Sequence, residues 1–124
     1  MNRQTAPSIG DVLWAYLPEE GSAERAKKRP VLVLDVERSN GLVYVKVAKG
    51  TSQHMDAHYL GELRLSRESE WKAAGLSKPT KFQLKRLERL PMTNNWFDLN
   101  SHQSSLPQSQ YAAFHTAARE AALI

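Results

Sequence analysis

Apolar and polar positions alternate in short runs along most of this chain, and each run has a strand's length. Asp11 to Leu17 alternates loosely and is rich in aromatic and branched side chains, which predicts a strand. Val31 to Val36 is nearly all apolar, the pattern of a strand buried on both faces. Leu42 to Ala48 alternates cleanly, with Val43, Val45 and Val47 set against Tyr44, Lys46 and Ala48. Between these two runs stands Ser39-Asn40-Gly41. Asn-Gly in that place signals a tight hairpin, because both residues tolerate positive φ. Tyr59 to Leu65 alternates again, with Leu63 and Leu65 on one face and Glu62 and Arg64 on the other. Lys81 to Leu90 fits two templates. Phe82-Gln83-Leu84-Lys85 alternates, while Leu84, Leu87 and Leu90 make a helical stripe, so periodicity leaves both open. Pro79 and Pro91 bound the segment to about a strand's length.

The remaining segments read as loops and helices. Pro18 to Lys28 holds Pro, Gly, Ser and many charges and predicts a loop. Lys49 to His58 is a polar loop. Ser66 to Ala74 suits a short helix, with Ser66 as its cap and Gly75 as its end. Pro91 to Ser104 is a loop in which Trp96-Phe97 anchors to a core. Ser105-x-x-Gln108 is similar to a capping box, and Pro107 fits a first helical turn. Tyr111, Phe114, Ala118 and Ala122 then mark one apolar face of a helix covering Ser105 to Ala122. The expected order is five or six strands with one short helix and one C-terminal helix. There is no internal repeat.

With 124 residues, the chain has the size of a single domain spanning 1–124, with residues 1–9 expected to be flexible. Hydrophobic residues at 41% and charged residues at 24% argue against wholesale disorder. The absence of cysteine excludes disulfides, thiol catalysis and cysteine-based zinc sites. No apolar run approaches a membrane span, and Met1 to Ser8 lacks the apolar stretch of a signal peptide. A cytoplasmic location is therefore expected. The net charge of +4 and isoelectric point near 9.5 suit an anionic partner, and equally an ordinary solubilising surface.

Four groups of residues could carry chemistry. Arg29 stands before an apolar run, and Pro30 biases it toward extended backbone, so its guanidinium has a set direction. A guanidinium suits a phosphate, and the plain alternative is a surface Arg that happens to precede a strand. Thr51 and Ser52 follow Lys49-Gly50, where glycine permits close backbone approach and a hydroxyl can hold a phosphate oxygen. The plain alternative is a turn closed by local hydrogen bonds. His54 and His58 are four apart, a metal-pair spacing on a helix, but the segment is not helical in pattern and no third ligand is evident. His54 reads better as a general acid or base, since imidazole works near neutral pH. Finally, Lys78, Lys81, Lys85, Arg86 and Arg89 make a basic run, and as a strand Lys81, Gln83 and Lys85 would share one face with Phe82 and Leu84 opposite. That stripe fits single-stranded nucleic acid or a lysine-protected edge strand. Walker, dinucleotide and HExxH motifs are absent.

Gly10-Asp11-Val12-Leu13-Trp14, then Gly21-Ser22-Ala23-Glu24 ahead of Arg29-Pro30-Val31-Leu32-Val33-Leu34, then a strand ending in Gly50-Thr51-Ser52, resembles the MazF/PemK family of toxin endoribonucleases. A softer echo lies at Gly75-Leu76-Ser77-Lys78-Pro79-Thr80, and the resemblance covers roughly Gly10 to Leu90. It implies a mainly β fold with α, an SH3-like twisted β-barrel of the MazF/PemK/CcdB type with a C-terminal helix, and so favours a strand over Lys81 to Leu90. It implies a homodimer, a cognate antitoxin and single-stranded RNA as substrate. It implies metal-independent cleavage with no cofactor, in which the RNA's own 2′-hydroxyl attacks the adjacent phosphate. Arg29 falls at the family's catalytic Arg and Thr51 at its catalytic Thr or Ser, with Ser52 the alternative register. Lys28, Lys49, Gln83 and Lys85 are the expected RNA contacts.

Two departures stand out. The loop before Arg29 is about one residue longer and more basic than is usual in the family. Gln83 and Lys85 stand where PemK-type members carry an Arg and an Asp two apart. This chain then uses Arg29 and Thr51 alone, or lets His54 substitute, or has kept the fold and lost the activity. The alternative function is a catalytically inactive member of the fold that binds a protein target or nucleic acid.

Overall fold

The computed structural model describes residues 6–17, 27–100 and 104–124. Six strands form one antiparallel sheet in the order β4-β5-β3-β2-β1-β6. They are β1 (Asp11–Leu17), β2 (Lys27–Ser39), β3 (Leu42–Thr51), β4 (Glu62–Leu65), β5 (Thr80–Pro91) and β6 (Ser104–Ser105). A short helix α1 (Glu68–Ala73) separates β4 from β5, and α2 (Tyr111–Glu120) follows a single 3₁₀ turn at Gln108–Gln110. The sheet curls into a half-barrel, in keeping with the expected fold class. The expected loop at 18–26 lies outside the described residues.

The hairpin forms where Asn-Gly predicts it. Asn40 and Gly41 take φ of 52° and 80°, and Ser39 pairs with Leu42. Its arms run further than the apolar runs suggest. β2 begins at Lys27, so Arg29 and Pro30 lie inside the strand rather than before it. β3 extends through Gly50 to Thr51, which the sequence assigns to the loop. β4 is shorter than expected and starts at Glu62, but Leu63 and Leu65 are buried on one face as predicted. Lys81 to Leu90 is strand, because β5 has partners on both sides, β3 and β4.

Both sheet faces are covered. One core holds Val12, Leu32, Leu63, Phe82 and Leu84 beneath Ala117 and Ala118 of α2. The other holds Leu13, Ala15, Val31, Val45 and Val47 beneath Phe97. Phe97 is thus the core anchor expected of its loop, and it also bridges to Ala15. Ser105 does not cap a helix. It is a β6 residue whose hydroxyl donates to Asp11 Oδ1 at 2.6 Å. Phe114, Ala117, Ala118 and Ala121 form the packed face of α2, while Tyr111 and Ala122 are exposed. In α1, the Glu70 carboxylate accepts the Ser66 and Arg67 N–H groups, and Gly75 and Leu76 close the helix onto Lys72 O and Trp71 O.

Gly50 marks the closest approach of three strands, β2, β3 and β5. A Cβ there would sit 2.8 Å from the Phe82 ring and 2.9 Å from the Pro30 carbonyl oxygen. Glycine is therefore required for strand packing, where the sequence suggests room for a ligand. Gly50→Ala must displace backbone as well as an aromatic ring. It is expected to cost about 1–3 kcal/mol, read as a lowered urea midpoint with unchanged slope.

Candidate functional site

The sheet register assembles the site. Val31 pairs with Lys49, and the same register carried two residues further sets Arg29 opposite Thr51. Thr51 pairs with Lys81, and Lys81 with Arg64. Directly opposed residues of antiparallel strands share a face. Arg29, Thr51, Lys81 and Arg64 therefore form one row across β2, β3, β5 and β4. On that face Val31 is buried next to the row, and buried Ala15 stands directly opposite Arg29 within it. Three cations and a hydroxyl thus adjoin a core.

Two cavities flank the row, and Arg29 and Thr51 line both. The first, about 280 Å³, is walled by Trp14, Lys28, Ser52, Lys78 and Thr80 as well. The second, about 450 Å³, is walled also by Lys49, Gln53, His54, Tyr59 and Gln83. Ser52 and His54 are exposed on the loop after β3, and His54 has a positive φ of 55°. Thr51 Oγ1 accepts the Gln53 N–H at 3.1 Å. The local turn and the strand-end hydroxyl thus coexist, because the oxygen that accepts this bond keeps its own proton to donate.

The basic stripe is only partly as expected. Lys81 is buried and does not reach solvent. Its Nζ donates to His54 O at 2.9 Å, to Ala57 O at 3.2 Å and to the Glu62 carboxylate at 3.2 Å. Arg64 Nη1 also donates to Ala57 O, at 2.7 Å. Lys81 and Glu62 side chains are 2% and 4% exposed. Two cations, one carboxylate and two loop carbonyls therefore pin residues 54–62 onto the sheet. Lys85 is displaced from the stripe. Pairing along β5 slips between Ala48–Leu87 and Gly50–Phe82, so four β5 residues bow out past Lys49. Lys85 then lays its stem against Gly61, where an added Cβ would meet its Cγ at 2.9 Å. Arg86 takes its place on the second cavity wall. Lys28 lies over Trp14 with its Nζ 3.0 Å from Asp98 Oδ2.

Sequence reasoning thus brings Arg29, Thr51, Ser52, His54, Lys28, Lys49 and Gln83 to the cavities and misplaces Lys85. Lys78 and Arg86, members of the basic run, also line the walls, and Tyr59 is the wall residue that sequence reasoning misses. The slip that brings Arg86 to the second wall leaves no local signal. Lys78, in contrast, lies within the Gly75-Leu76-Ser77-Lys78-Pro79-Thr80 echo. Among the described residues, no three His, Asp or Glu side chains gather as a metal-binding set.

A model of the PemK-like, MazF-like toxins of type II toxin–antitoxin systems matches residues 8–121. The chain belongs to that family. The match covers both cavities and α2, so the resemblance read from the opening strands extends to the C-terminal helix. No curated protein sequence matches the chain. Among the described residues, no helix of this PemK-like chain is long and apolar enough to cross a membrane.

Removing one partner of the buried Lys81–Glu62 pair strands the other charge. Lys81→Met is expected to cost about 3–5 kcal/mol. Adding Glu62→Leu should return part of that loss, because no charge is then left uncompensated. Urea unfolding of the two variants checks both the loss and its partial return.

Proposed function

We propose that this chain is an endoribonuclease toxin that cleaves single-stranded RNA without a metal ion and inhibits growth unless its cognate antitoxin neutralises it in the cytoplasm. The observation that carries this reading is the shared wall. Arg29 and Thr51 stand between two cavities, so a phosphodiester lying across them can place a nucleotide on each side. Lys28 and Lys78 add two further cations to the first cavity. In the reaction, the 2′-hydroxyl oxygen bonds to phosphorus as the bond to the 5′-oxygen breaks. One proton leaves the 2′-oxygen and one joins the departing 5′-oxygen. Arg29 stabilises charge on the phosphoryl oxygens, and the Thr51 hydroxyl donates to one of them. His54, on the second wall, is placed for a proton transfer.

A second copy of the chain completes the assembly. An apolar groove lies on the far side of the sheet, where Leu34, Leu87 and Phe114 are bordered by exposed Ile9, Tyr111 and Ile124. Such a surface favours burial against a partner. At about tens of micromolar protein, a concentration at which mass action favours association, sedimentation should give twice the 14.0 kDa chain mass. A monomer alone would count against the dimer.

The activity is tested by incubating the purified chain with total RNA in EDTA and mapping new ends. Arg29→Ala should lower cleavage by about 10²–10³ while leaving the fold intact. Arg29→Lys should also be poor, because an ammonium cannot reproduce the planar fork. Full cleavage and toxicity in Arg29→Ala would instead favour the inactive binding module.

A further inference from the structure

The second cavity carries a feature that phosphate chemistry does not use. Tyr59 is 68% exposed, although it sits within a pinned loop. Its N–H donates to Glu62 Oε1 at 3.3 Å, and the buried Lys81 ammonium lies 5.4 Å from its ring centroid. Lys81 itself donates to the His54 and Ala57 carbonyls of the same loop and to the Glu62 carboxylate. The ring is thus held from the sheet side and open to solvent on the rest of its surface. An exposed aromatic ring set in a basic groove has the form of a stacking platform for single-stranded nucleic acid. Around it stand Gln53 and Gln83, with amide donors and acceptors, and Arg86 and Lys49, with charge for a backbone.

We propose that Tyr59 is a nucleobase platform, and that the second cavity takes the base of the nucleotide next to the phosphate held at Arg29 and Thr51. The proposal rests on the ribonuclease reading for its ligand. Stacking on the open ring needs no particular base, since every base offers a π-face. Lys81 acts here as a positioning residue, because its ammonium polarises and braces the covered side of the ring. Discrimination between bases falls to the Gln53 and Gln83 amides, which can meet a base edge.

The test separates bases from backbone. Binding of the full chain is measured for a 2′-O-methyl oligoadenylate twelve nucleotides long, which cannot be cleaved by its own 2′-oxygen. It is compared with an abasic sugar-phosphate strand of equal length. The wild-type chain should bind the base-bearing strand about tenfold tighter or more, in line with one base stacked on an aromatic side chain. Tyr59→Ala should lose most of that ratio while keeping its affinity for the abasic strand. Tyr59→Phe should keep the ratio. A ratio unchanged in Tyr59→Ala, or a wild-type chain that binds both strands equally, overturns the platform and leaves the ribonuclease reading standing. Failure to bind either strand overturns both.

Discussion

Three backbones meet at Gly50, and the site depends on that meeting. The Pro30 carbonyl and the Phe82 ring occupy the space a side chain would need. With glycine there, β2 and β5 both close onto β3, and the register of all three strands is fixed. Register decides which face every side chain takes, since a slip by one residue reverses it. The contact at Gly50 therefore brings Arg29, Thr51 and Lys81 into one row. It also sets that row against an apolar core, because Ala15 stands opposite Arg29 and Val31 lies next to it on the same face.

Charge in that row is divided between two tasks. Lys81 and Arg64 turn inward, where loop carbonyls and Glu62 accept their protons. Their work is to hold the 54–62 loop. Arg29 and Lys78 line the first cavity, on the solvent side of the row. A buried pair such as Lys81–Glu62 is a weak source of net stability, yet costly to break. It holds the loop that carries His54 and Tyr59 against the sheet edge near Thr51.

Much of the fold was legible in local pattern. Asn40-Gly41, the alternation through Val43, Val45 and Val47, and the inward Leu63 and Leu65 each predict what is found. These signals are local, because turn chemistry and period two need only neighbours in sequence. Arg29 and Thr51 were legible through the family's order of motifs, which places two distant strand ends at one site. The misses are of another kind. Lys81 reads as a solvated lysine because its acceptors, two loop carbonyls and the Glu62 carboxylate, lie far along the chain, and the carbonyls carry no residue identity. Lys85 and Arg86 exchange roles because β5 slips against β3, and Gly50 is glycine on account of Pro30 and Phe82. Ser105 mimics a cap because its hydroxyl serves equally well for Asp11. Each miss is a tertiary contact overriding a sound local rule.

The central claim is that the Arg29–Thr51 wall promotes attack by the RNA's own 2′-hydroxyl. It is tested most directly with a short single-stranded RNA that the chain cleaves at one position, incubated in EDTA. One copy carries a 2′-deoxy sugar on the nucleotide whose 2′-oxygen would attack. The account predicts that cleavage at that bond disappears, and that the unmodified strand yields a 2′,3′-cyclic phosphate and a 5′-hydroxyl. Continued cleavage of the deoxy strand, or products ending in a 3′-hydroxyl and a 5′-phosphate, would contradict it.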